Sequence, residues 1–218
     1  MSASRLSPQQ ILERSPLALS LKRLHADRRI TSRFFADNTV GLPTLYNQVL
    51  DSTEGPDIQV FVHDDVWIDD SFVADRLVEG LAAFDIIGVA GNRRRLPGQV
   101  NWGLDPATGL LDRPHVSGRL THGRPLGRVD ILGPAPAPCV VLDGVFIALR
   151  RSLMRREGLR FDPRFSFHFY DLDFCRTATN HGLRLSTWPI VITHASVGNY
   201  TSPAWHAAKD LYLAKWGD

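Results

Sequence analysis

The stretch DIQVFVHDDVWI, residues 57–68, reads as a strand that ends in carboxylates. Ile58, Val60, Phe61 and Val62 form a β-branched and aromatic run bounded by turn-forming residues, the signature of an extended segment. On either side the pattern alternates. Upstream, ITSRFFADN (30–38) predicts a short strand ending at Asp37-Asn38, and GLPTLYNQVLDS (41–52) a helix. Downstream, SFVADRLVEGLAAF (71–84) has helical periodicity, and DIIGVAG (85–91) is a wholly apolar strand of the kind buried on both faces. This β-α-β-α-β order predicts an open α/β sheet. Before it, apolar residues at Ile11, Leu12, Leu17, Leu19, Leu21 and Leu24 predict a helix from Ser7 to about Arg29, with Ser7 as cap and Pro8 in the first turn. After it, residues 92–138 carry Arg93-Arg94-Arg95, several glycines and seven prolines, and predict loops and short edge strands. Regular pattern resumes in CVVLDGVFIALRR (139–151), one or two strands broken at Asp143-Gly144. There follow a short helix at SLMRREG (152–158), a helix from about Asp171 to His181 stopped by Gly182, a last strand at LRLSTWPIVITHAS (183–196) and a terminal helix at SPAWHAAKDLYLAKW (202–216).

The chain has 218 residues, 44% of them apolar and 22% charged, which is enough to bury a core in one domain, two at most. Its 25 Lys plus Arg against 23 Asp plus Glu leave a formal charge of +2, no excess that argues for a nucleic-acid partner. Cys139 and Cys175 are too few for a disulfide framework and lack the spacing of a zinc knuckle, so a reducing compartment is expected. No run approaches the roughly 18 apolar residues of a membrane span, and the opening MSASRLSPQQ lacks the apolar core of a signal peptide. A soluble, cytoplasmic protein is expected.

Three features carry chemistry. His63-Asp64-Asp65 follows the run Val60-Phe61-Val62, and in open α/β sheets ligands bind beyond the carboxyl ends of strands. Paired carboxylates there, with Asp69-Asp70 nearby, can hold a hard divalent cation that also takes phosphate oxygens. The plainer reading is helix capping, which suits Asp69 and Asp70 because they directly precede the next helix. The second feature is Tyr170-Asp171-Leu172-Asp173 after the aromatic-rich FSFHF, where either aspartate can project into a cleft as a general base or simply cap the helix. The third is His194, at the end of Ile190-Val191-Ile192, which can complete a metal site with Asp65 or be structural. Arg93-Arg94-Arg95 can meet phosphates, though arginines in such loops are more often solvated. There is no G-x-S-x-G elbow, Walker loop, G-x-G-x-x-G or H-E-x-x-H.

Taken in order, DNTVGLPTLYNQVLD (37–51), VFVHDDVWIDD (60–70), LDGVFIALRR (142–151), FDPRFSFHFYDLDFCRTATNHGLRL (161–185) and ITHASVGN (192–199) resemble the GT-A glycosyltransferases of the family-two type, most closely the StrF-like subgroup. The resemblance spans nearly the whole chain and implies one GT-A domain over residues 1–218: a Rossmann-like, open, mixed and mostly parallel sheet flanked by helices. His63-Asp64-Asp65 then stands for the usual D-x-D, with Asp65 as metal ligand and Asp64 or His63 as nucleotide contact. Asp143-Gly144 matches the loop on the donor-sugar and acceptor side, and His194 a further metal or phosphate contact. Asp171 falls where relatives keep the general base; many have an acidic residue before it where this chain has Tyr170, which leaves Asp171 and Asp173 both in play. Ser2-Ala3-Ser4-Arg5 match the last residues of an opening strand, so that strand is expected to be short or lost.

What the resemblance implies is inverting, Mn2+- or Mg2+-dependent transfer of a sugar from a nucleotide-diphosphate sugar, a UDP-sugar among the candidates, to the hydroxyl of a glycan, a lipid-linked sugar or a small metabolite. A partner protein or neighbouring domain is expected to help recognise the acceptor. Two alternatives stand beside it. A GT-A-like binding module without turnover is favoured by the clipped start and opposed by carboxylates retained at both sites. A nucleotidyltransferase would also use metal-bound carboxylates on an α/β sheet, but usually shows a Gly- and Arg/Lys-rich phosphate loop near its start, and none is present.

Overall fold

The computed structural model describes residues 1–196 and 201–217; of the stretch ITHASVGN, residues 197–199 lie outside the described residues. The chain forms a mixed α/β fold. Its first sheet has the order β3 (Ile58–Val62), β11 (Phe146–Arg150), β5 (Ile86–Gly88), β12 (Leu185–Thr187), β9 (Ala137–Cys139). The second has the order β10 (Val141–Leu142), β6 (Ala90–Asn92), β7 (Val116–His122), β13 (Ile192–His194), β4 (Val66–Ile68), with β8 (Val129–Ile131) also pairing with β7. In the first sheet β3, β5 and β12 run one way, joined by Rossmann-like crossovers, while β11 inserts antiparallel between β3 and β5. The expected parallel character therefore lies in strand direction, and most neighbouring ladders are antiparallel.

Adjacent residues of these strands go to opposite layers. Phe61, Ile86, Ile147 and Leu149 join a core beneath α3 (Leu42–Asp51), α5 (Arg151–Arg156), α6 (Tyr170–Asn180) and α7 (Pro203–Trp216). Val62, Ile87, Phe146 and Ala148 join a second core with residues of α2 (Pro16–Arg23) and α4 (Val73–Ala83). A two-residue period buried on both faces is why these runs are apolar throughout.

Several predicted elements divide. The helix expected over 7–29 is two, α1 (Pro8–Arg14) and α2, because Pro16 cannot donate into the first helix and instead opens the second, capped by Ser15. Residues 57–68 form β3 and β4 with His63-Asp64-Asp65 as the turn between them, 85–91 contribute to β5 and β6, and 183–196 form β12 and β13. In each case the chain leaves the first sheet and enters the second. Asp143-Gly144 likewise separates β10 from β11. The loop-rich segment hides β7, seven residues in the middle of the second sheet. Its interior Gly118 has φ +107°, and a Cβ there would overlap the Val89 carbonyl, so close backbone approach interrupts the side-chain pattern that marks a strand.

The opening strand is short: β1 (Ser2–Ala3) pairs in parallel with β2 (Phe34–Phe35). Met1 continues it against β3, its amino group donating to Val60 O (2.8 Å) and its carbonyl accepting from Val62 N–H (3.2 Å). No helix among the described residues is long and apolar enough to cross a membrane.

Candidate functional site

The line along which the chain passes between sheets borders a cleft of about 670 Å3. His63, Asp64, Asp65, Asp143, Gly144, Asp171 and His194 all line it. Asp173 does not. Two residues further along α6, it turns away to pair with Lys215 Nζ (2.6 Å) and accept from Trp216 Nε1 (2.9 Å) of α7, so of the two candidate bases the cleft holds Asp171. Asp70 accepts from Phe72 N–H just ahead of α4 and pairs with Arg76, close to the plainer role, whereas Asp69 caps no helix and instead binds Arg23 and Thr193. Arg94 is tied to Asp105 and Asp112, and none of the three consecutive arginines lines the cleft, so the phosphate reading of that run falls away.

His63, Asp65 and His194 can each offer one donor atom so that the three lie within 4.8 Å of one another. His194 Nε2 stands 3.3 Å from Asp65 Oδ1, and Ser196 Oγ donates to Asp65 Oδ2 (2.6 Å). Burial opposes the charge on Asp65, yet the hydrogen bonds from His194 and Ser196 outweigh it and hold the carboxyl at about 2. Burial lowers His194 too, but Asp65 more than offsets this and raises it above the usual imidazole value. His63 goes the other way, lowered chiefly by burial, which favours its neutral form. Its Nε2 lies 3.1 Å from Tyr170 Oη, whose own proton goes to Gly144 O (2.8 Å). With that hydroxyl proton committed, the His63–Tyr170 bond carries the Nε2 proton, which leaves Nδ1 as the acceptor nitrogen. Two imidazoles and a carboxylate fit a borderline divalent ion better than the all-oxygen shell that Mg2+ prefers.

Asp64, between them, is anchored differently: its Oδ2 accepts from Ser4 Oγ (2.5 Å), and its carbonyl accepts from Ser15 Oγ (2.7 Å) and Leu17 N–H (3.2 Å). These bonds tie the turn to α1, α2 and β1. Asp171 lies in the first turn of α6 and also lines the cleft. Its Oδ2 accepts from Gly144 N–H (2.8 Å) and its Oδ1 from Leu172 N–H (2.9 Å). Burial and the charge of Asp143 nevertheless push it up to about 7, against those two bonds. Gly144 permits this approach, since a Cβ there would overlap the Tyr170 hydroxyl. Asp143 Oδ1 accepts from Val145 N–H (2.9 Å), which fixes the loop.

Sequence reading did not find the aromatic side of the cleft. Phe167 is 51% exposed and stacks on His63 with ring centroids 5.7 Å apart, and Trp205 reaches in from α7. The run FSFHF signalled aromatics but not which of them face the cleft. Trp102, from the loop-rich segment, both lines the cleft and packs against the two cores. His122 lines the cleft beside His194 (ring centroids 6.1 Å) because β7 and β13 pair there, a neighbourhood set by register between distant segments.

No family profile matches this chain, and no curated protein does. Among solved structures it is similar to CMP:2-keto-3-deoxy-manno-octonic acid synthetase complexed with CTP, with 13% identity over 89% of this chain and 76% of that one and a TM-score of 0.35. So slight a likeness carries no argument about activity, and the functional reading rests on the residues of the cleft.

Proposed function

We propose that this chain is an inverting glycosyltransferase of the GT-A, family-two type, acting as one domain over residues 1–218. It moves a sugar from a nucleotide-diphosphate sugar to an acceptor hydroxyl. The observation that carries the reading is the meeting, in one cleft, of the His63/Asp65/His194 donor set with a carboxyl, Asp171, whose pKa is raised to about 7.

His63, Asp65 and His194 would hold a divalent cation, Mn2+ better than Mg2+, which when bound supplies positive charge for a departing diphosphate. Asp171 takes the acceptor proton: its carboxylate is oriented by the Gly144 and Leu172 N–H groups, and its raised pKa matches the work of a base at neutral pH. Asp64 and Asp143-Gly144 line the space between and are assigned to the donor nucleotide and sugar. With Asp171 as the base of a single direct displacement, the sugar would be transferred with inversion at the anomeric carbon. Phe167, Trp102 and Trp205 offer apolar faces on which a sugar ring can rest.

The test is a thermal-shift titration of the protein with nucleoside diphosphates, with and without Mn2+ or Mg2+. The expected result is a metal-dependent stabilisation, largest with Mn2+, that Asp65→Ala abolishes. Metal-independent binding, or an equal response from Asp65→Ala, overturns the assignment of the cation site. Metal-dependent binding with no transfer to any acceptor would point instead to a binding module.

A further inference from the structure

We propose that the hairpin formed by β7 and β8 is a docking surface for an anionic lipid bilayer. From Arg119 to Ile131 this hairpin leaves Leu126, Val129 and Ile131 at 71%, 42% and 67% exposure. Val129 and Ile131 are two apart on β8, so their side chains share one face, and β8 pairs only with β7 among the described strands. Leu126 sits at the tip with φ +54°, a left-handed conformation that glycine would adopt without strain. A large apolar side chain kept there in water is repaid only by something that covers it.

Charge selects the cover. Arg119, Arg124 and Arg128 are all exposed, and none has an ion-pair partner among the described residues. Arg5, Arg14, Arg28 and Arg113 are likewise exposed without a carboxylate partner among the described residues; what sets the hairpin's three apart is that they stand among exposed apolar side chains. The hairpin's one acidic residue, Asp130, faces His122 at 3.6 Å. Apolar side chains interleaved with unpaired arginines match a surface that is negative at its headgroups and apolar beneath them. Leu120, His122 and Leu132 belong both to this region and to the cleft wall, so a docked hairpin holds the cleft at the bilayer surface.

The test is co-sedimentation of the full chain with phosphatidylcholine vesicles and with vesicles that also contain phosphatidylglycerol. Binding is expected only to the anionic vesicles, weakening as salt rises. The pair Arg124→Glu/Arg128→Glu is expected to lower the bound partition by at least about tenfold, and Leu126→Ser/Ile131→Ser to lower it with the charge unchanged. Both pairs should melt like the parent and keep its Mn2+ response, which separates loss of docking from loss of fold or cation site. Equal binding by the variants, no binding to anionic vesicles, or equal binding to neutral ones overturns the proposal. So does a dimer in sedimentation equilibrium that Ile131→Asp splits, which would assign the hairpin to a second copy.

Discussion

Asp171 and Asp173 are two residues apart on one helix, which at about 100° per residue sets them on nearly opposite faces. One face meets the cleft and the other meets α7, and nothing within YDLDF says which is which. That choice becomes readable only once Lys215 and Trp216 are in place. With Asp171 at about 7, transfer is expected to be near maximal above that pH and to fall about tenfold per unit below it, because a protonated carboxyl cannot accept the acceptor's proton. Asp171→Asn is expected to keep metal-dependent nucleotide binding and to lower kcat by about 10²- to 10⁴-fold, measured against the parent at pH 8. Gly144→Ala would drive a methyl group into Tyr170, the residue that holds His63. It is expected to destabilise the fold by about 1–3 kcal/mol in chemical denaturation and to weaken Mn2+ binding as well.

The helices and the longest apolar runs were legible because local pattern determines them. The capping box of Ser7 and Gln10, the stretch 41–52 and the terminal helix all follow residues within a few positions of one another. Strand boundaries were not, since a change of sheet leaves no mark in a two-residue period, and the turn at His63-Asp64-Asp65 read as the end of a strand rather than a corner between two. A prediction at this scale concerns the contact of α6 with α7. Lys215→Ala leaves the buried Asp173 without its cation, while Asp162 keeps Arg164. With Lys215 partly exposed, the loss is expected at about 2–3 kcal/mol in urea unfolding. Adding Asp173→Asn should recover part of it, with nucleotide affinity unchanged throughout.

Across the molecule, metal occupancy and proton occupancy compete. Asp65 raises the affinity of His194 for a proton, and an imidazole must shed that proton to ligate a cation. Mn2+ affinity is therefore expected to rise from pH 6 to pH 8, checked by calorimetric titration in two buffers of different protonation enthalpy to count the proton released. The cleft itself was foreseeable as the rim beyond strand ends, but not its far wall, which β7, α7 and residues around Trp102 assemble from segments with no common local signal.

The divided strands have one more consequence. The chain crosses from one sheet to the other at residues 63–65, near 89, at 143–145 and between 187 and 192, and two of these crossings carry the cleft's own polar residues. His63 hangs from the end of a strand in one sheet, while His194 belongs to a strand of the other. A cation shared by them would rivet a seam, coupling layers that meet elsewhere through side-chain packing and a few backbone bonds. Amide exchange in β3 and β13 should then slow together when Mn2+ is added, and chelation should let the two layers breathe apart.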